Sequence, residues 1–113
     1  MNGDTIFHKI MRREIPAEIL FEDADVIAIR DIQPVSPTHI LVIPKRTIAT
    51  ANDLKEADEA LAGHMMIVAA QIARAQGLSS YRLVMNCGEE AGQSVFQLHL
   101  HLCGGRSLSW PPG

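Results

Sequence analysis

Hydrophobic residues recur along this chain at two spacings, and the places where one spacing gives way to the other divide it into elements. In Asp4-Thr5-Ile6-Phe7-His8-Lys9-Ile10-Met11-Arg12-Arg13, Ile6 and Ile10 lie four apart with Phe7 beside them, which predicts a short helix behind the capping-type residue Asp4. Ile15-Pro16 ends it, because proline disfavours helical geometry in the residue before it. Ile19-Leu20-Phe21 and Val26-Ile27-Ala28-Ile29 are strand-like runs around the acidic turn Glu22-Asp23-Ala24-Asp25, so a hairpin is expected. A third run, His39-Ile40-Leu41-Val42-Ile43, is entered through Pro34 and Pro37 and closed by Pro44.

Asn52 is placed to cap a longer helix, whose apolar positions Leu54, Ala57, Leu61, Met65, Val68 and Ile72 advance by three or four residues as one buried stripe. The acidic run Asp53 to Glu59 then reads as its solvated first turns, and Gly77 as its stop. Tyr81-Arg82-Leu83-Val84-Met85-Asn86, a turn at Gly88 to Gly92 and the run Ser94 to Cys103 suggest a second hairpin. About five strands and two helices with near-sequential strands make an α+β domain, without internal repeats.

Its 113 residues suffice for one core and not for two. No apolar run approaches the length that crosses a bilayer, and Met1 to Glu14 alternates charged and apolar residues unlike a signal peptide, so a cytoplasmic location is expected and no membrane partner. The 10 basic and 13 acidic residues are scattered and leave a formal charge of −3, which gives no footprint for a nucleic acid polymer. Cys87 and Cys103 stand in no metal-ligand spacing, and in a reducing compartment both remain thiols.

The chemistry concentrates in the last strand-like run. Alternation puts Phe96, Leu98, Leu100 and Leu102 on one face and Gln97, His99, His101 and Cys103 on the other, a core face and a polar one. Histidines at i and i+2 sit about 7 Å apart at their Cα atoms, close enough to serve one ligand. A His-x-His pair suits a metal, but no Glu or Asp lies nearby in the strand, and His39 is the only further donor in view. A neutral imidazole acting as nucleophile or proton carrier needs no cofactor, and about three quarters of unperturbed histidines are neutral at pH 7. His8 and His64 lie away from this run and are read as structural.

Gln97-Leu98-His99-Leu100-His101-Leu102-Cys103 resembles the signature of the histidine triad superfamily. Asp4-Thr5-Ile6-Phe7, Pro37-Thr38-His39-Ile40-Leu41-Val42-Ile43-Pro44-Lys45, Gly92-Gln93-Ser94-Val95 and Trp110-Pro111-Pro112-Gly113 are similar to its Hint branch, so the resemblance spans nearly the whole chain. It implies one domain over residues 1–113, with an irregular tail at 106–113. The implied fold is a five-stranded antiparallel sheet with one long and one short helix, extended across a two-fold dimer. It also implies a purine nucleoside phosphoramidase that uses neither cofactor nor metal. His99 would attack the α-phosphorus and form a nucleotidyl-histidine, which water cleaves. His101 and His39 would hold phosphate oxygens or help the leaving group, and Ser94 with the backbone at Gly92 and Gln93 would stabilise charge. Asp31 would bind the ribose hydroxyls, Phe7, Ile29 and Ile32 would flank the purine, and Asn86 matches the family's site asparagine.

One position departs from the pattern: Gln97 stands where the first triad histidine is expected, on the site face beside the nucleotide. Glutamine bonds but carries no proton at neutral pH, so an altered rate is expected. Two other activities fit this chemistry, hydrolysis of dinucleoside polyphosphates and purine-nucleotide binding by a regulatory protein with weakened catalysis. A small sheet with one main helix leaves surface uncovered, which together with the resemblance predicts a homodimer with each Trp110 tail near the partner's nucleotide.

Overall fold

The computed structural model of the chain describes residues 4–113. Five strands form one antiparallel sheet in the order β1-β2-β3-β5-β4: β1 Ile19–Glu22, β2 Val26–Arg30, β3 Thr38–Pro44, β4 Tyr81–Val84 and β5 Leu100–Gly104. Helix α1 spans Ile6–Met11 and helix α2 spans Glu59–Ala75. The expected α+β architecture, with one long and one short helix, is present. Among the described residues no helix is long and apolar enough to cross a membrane.

The register assigns the faces. Ile40 opposes Leu102 and Val42 opposes Leu100, and with Val26, Ala28 and Leu98 they pack against Met65, Val68, Ala69 and Ile72 of α2. Leu41 opposes His101 and His39 opposes Cys103, so these side chains emerge on the opposite face. There Phe7 and Ile10 of α1 cover Ile27, Ile29, Leu41 and Ile43. The histidine end of this face lies at the border of α1, where Phe7 meets His99; His39 and His99 are buried and His101 is half-buried.

Three boundaries differ from expectation, each because side chains take over backbone groups. The helix α1 is capped by Thr5, whose Oγ1 accepts from the amides of Phe7 and His8, while Asp4 pairs with Arg12. His8 returns the bond by accepting from the Thr5 amide at 3.0 Å, a structural use consistent with its place outside the motif. The long helix starts at Glu59 and not after Asn52. Thr50 with Asp53, and Asp58 with the Lys55 amide, tie residues 51–58 into two tight 3₁₀ turns. Asp58 is buried against Arg46, so the acidic run is not a uniformly solvated face. Gly77, at φ +76°, ends α2 as expected.

The third boundary matters for function. Ser94 to His99 is not strand, and β5 begins at Leu100. The Gln97 side chain is fully buried and brackets the chain after β3: its amide nitrogen donates to the carbonyls of Pro44 and Arg46, and its oxygen accepts from the Ile48 amide. The Leu98 amide adds a bond to the Ile48 carbonyl. These bonds replace a strand ladder, yet Leu98, Leu100 and Leu102 still enter the core while His99 and His101 face the open side.

Candidate active site

Where β3 adjoins β5 on the open face, His39 Nε2 lies 2.9 Å from His101 Nδ1. The other nitrogen of His39, Nδ1, lies 3.1 Å from the Val35 amide, which only donates. A neutral His39 therefore carries its proton on Nε2 and gives it to His101 Nδ1. A neutral His101 must then carry its own proton on Nε2, a buried atom with no partner among the described residues.

His99 is set in the opposite sense. Its Nδ1 lies 2.7 Å from the Gln97 carbonyl, which only accepts, so the proton sits on Nδ1 and Nε2 is left with a bare lone pair. The His99 and His101 rings are 4.9 Å apart, edge to face. A lone pair and an N–H donor thus stand side by side, as a nucleophile and a proton donor would.

Burial keeps both rings neutral. It pushes His101 down to about 4, helped by the neighbouring His99 and His39. Burial also lowers His99, against the Gln97 carbonyl bond that favours its charged form. Phe7 contributes, its ring edge-on to His99 at 5.0 Å.

Beside the histidines, Asp31 follows β2. Its Oδ1 accepts from the Gln33 amide at 2.8 Å, and Oδ2 lies 3.4 Å from His39 Nε2. Between α1 and the β2–β3 strands a cleft of about 90 Å³ is lined by Phe7, Ile10, Ile29, Leu41, Asp31 and Ile32. Ile32 forms its rim and is 85% exposed.

The HIT domain family matches residues 12–108. The chain belongs to this family. It is 52% identical over 114 residues to an uncharacterised HIT-like protein of Synechococcus elongatus, with both chains covered in full. A solved HIT family hydrolase from Legionella pneumophila Philadelphia 1 is 49% identical, with a TM-score of 0.95 over 97% of this chain and 100% of that one. A histidine triad protein from Clostridium difficile is 36% identical with a TM-score of 0.90, over 96% of each chain.

In this HIT domain the fold brings His39, His99, His101, Asp31, Phe7 and Ile29 into one neighbourhood, with Ile32 at its rim. Asn86 is half-buried next to Gly92, where an added Cβ would lie 3.7 Å from its Nδ2, and Ser94 is exposed in the segment leading to His99. One expected nucleotide contact is corrected. The Gln97 side chain faces the buried bracket described above and not the site. Gln93 is buried too: it accepts from the Gly88 amide and donates to the Ala49 and Val95 carbonyls, which anchors the turn from within. Trp110 is 80% exposed, with the Arg82 guanidinium of its own chain 6.0 Å over its ring. His64 bonds Asp23 at 2.7 Å, a structural pairing.

Asp31, His39 and His101 each offer a donor atom within 4.8 Å of the others. The carboxylate that seemed missing from the strand thus arrives across the sheet from the end of β2. In this structure His39 Nε2 and His101 Nδ1 are bonded to one another, and the Val35 amide at His39 Nδ1 leaves the His39 proton on Nε2. The Val35 amide had no signal in the sequence, since every non-proline residue carries one.

Proposed function

We propose that this HIT domain hydrolyses purine nucleoside 5′-phosphoramidates through a covalent intermediate on His99. The observation that carries the reading is the pair of opposed tautomers, a bare Nε2 on His99 beside an Nε2–H on His101. The purine lies in the apolar cleft with Ile32 folded over it, and the Asp31 carboxylate accepts from the ribose hydroxyls with the lone pairs that Gln33 and His39 leave. His99 Nε2 attacks the α-phosphorus while His101 Nε2–H donates a hydrogen bond to a phosphoryl oxygen; the P–N bond breaks and its electron pair leaves with the amine, which takes its proton from solvent. Water then attacks phosphorus, gives its proton to solvent, and the bond to His99 breaks to release the 5′-monophosphate with His99 again neutral. Ser94, Asn86 and the backbone at Gly92 and Gln93 bear on the phosphate oxygens.

Gln97 is compatible with this chemistry because the group that fixes the His99 tautomer is its backbone carbonyl, which any residue supplies. Family membership and the likeness to a HIT family hydrolase support the reaction class.

We extend the proposal to a homodimer. The edge strand β4, the outward Met66 and Ile67 of α2 and the projecting Trp110 are the surfaces a second copy would cover, with the tail reaching the partner's site.

Steady-state turnover of adenosine 5′-phosphoramidate, set beside diadenosine tetraphosphate and beside AMP binding by calorimetry, tests the reading. Preferential P–N cleavage is expected. Faster cleavage of the tetraphosphate would move it to dinucleoside polyphosphates, and AMP binding without turnover to a regulatory binder.

A further inference from the structure

The bond that sets the tautomer of His39 comes from an exposed loop, between β2 and β3, whose Val35 side chain is 63% exposed. Such a loop needs something to hold its peptides in place. Two features do so. Gly105, at φ +92°, lets the end of β5 press against Pro37, where an added Cβ would come within 2.9 Å of the proline ring. The next residue, Arg106, donates from one guanidinium nitrogen to the Val35 carbonyl at 3.0 Å and from the other to the Ser107 carbonyl at 2.9 Å.

We propose that Arg106 is a positioning residue for the histidine pair. Its guanidinium holds the Val35 carbonyl and so restricts Val35 from the C-terminal side, limiting rotation at the Cα that links this carbonyl to the Val35 amide, the donor to His39 Nδ1. A relay follows, from Arg106 to Val35, from Val35 to His39 and from His39 to His101. The relay has only two self-consistent settings, because each neutral imidazole carries one proton. With Val35 in place, His39 holds its proton on Nε2 and His101 presents Nε2–H to the site. With the Val35 amide turned away, water competes for His39 Nδ1, only the Asp31 carboxylate at 3.4 Å from Nε2 still favours the first tautomer, and the other becomes partly populated. His39 Nε2 then accepts from His101 Nδ1–H, and His101 presents a lone pair. One lost loop contact therefore converts a hydrogen-bond donor into an acceptor beside the phosphoryl group in a share of the molecules. The tautomer claim stands on these hydrogen bonds alone, whereas its effect on rate rests on the phosphoramidase reading.

The test uses the full chain with ¹⁵N-labelled histidine. At pH 7.5 the imidazole nitrogen shifts of the unmodified protein should place His39 and His101 each in a single Nε2–H form. Arg106→Met should give averaged shifts for both rings, and Arg106→Lys, which can still donate to the carbonyl, should restore most of the single form. Ser36→Ala removes a different bond in the same loop, from Ser36 Oγ to the Thr38 carbonyl at 2.6 Å, and should leave the shifts unchanged. In turnover, Arg106→Met should lower kcat by about tenfold with KM nearly constant, less than the loss of a whole hydrogen-bond donor to the transition state costs. Unchanged tautomers in Arg106→Met, or equal averaging in Ser36→Ala, would overturn the proposal. Altered tautomers in a protein that never cleaves a phosphoramidate would instead sustain it and refute the phosphoramidase reading.

Discussion

The carbonyl oxygen of Gln97 lies 2.7 Å from Nδ1 of His99, so the residue in the departing triad position acts on its neighbour through the backbone, while its side chain ties the segment to Pro44, Arg46 and Ile48. Gln97→His should accordingly keep turnover within about threefold of the parent, since the carbonyl remains. Gln97→Ala should lower stability by about 2–4 kcal/mol, because two carbonyls and one amide lose a buried partner. Thermal melts and steady-state kinetics on both variants check this, and a large rate loss in Gln97→His with an unchanged melt would assign the side chain a direct chemical role.

His99→Ala should reduce turnover by about a thousandfold or more while leaving AMP affinity within about tenfold, as removing a nucleophile does not remove the cleft or Asp31. Quench of the parent with radiolabelled substrate should trap a nucleotidyl-protein, and the variant should trap none. Intact turnover in His99→Ala would refute the nucleophile assignment.

The pH dependence follows from the neutral rings. His101 is depressed to about 4 and His99 is also lowered, both chiefly by burial, so the unfolded chain binds protons on these rings before the folded one does. Their contribution to stability is then complete above about pH 6.5 and is lost as the pH falls from there toward 4. Melting temperature should decline across that window, and His101→Gln should flatten the decline. The rate should hold from neutrality to below pH 6.5 and fall once His99 takes a proton on Nε2. A melting temperature that is flat between pH 6.5 and 4 would contradict the burial of these rings.

The parts of the molecule that were legible in the sequence are those fixed by repeated side-chain spacing. Ile27, Ile29, Leu41 and Ile43 read as strand residues because alternation and flanking prolines announce a sheet, and Gly77 read as a helix stop because a positive φ suits glycine. The paired histidines were visible for the same reason. What escaped the pattern was the work of single polar side chains on backbone groups. Thr50, Asp53 and Asp58 converted the expected first turns of a helix into 3₁₀ turns, and Gln97 replaced strand pairing with a bracket. Asp31 and His39 are eight positions apart in the chain and meet only because β2 and β3 pair, which no local spacing encodes.

The C-terminal tail gives the last prediction. Within one chain Trp110 rests over Arg82, whose guanidinium also donates to the Ser109 carbonyl at 2.8 Å, and the indole is left 80% exposed. An exposed tryptophan held at a fixed place on a sheet edge is a surface prepared for contact, since its large apolar area favours burial and its position is already restricted. Under the proposed dimer that contact is the partner's site, on the side where the leaving group departs. Deleting Ser109 to Gly113 should then change kcat or leaving-group preference by several-fold across a series of AMP phosphoramidates, with AMP affinity nearly constant and the dimer retained through β4 and α2. Light scattering at micromolar concentration reads the assembly, and kinetics on at least two amines read the tail. A monomeric parent would refute the dimer, and unchanged kinetics on every amine would refute the tail's part in the neighbouring site.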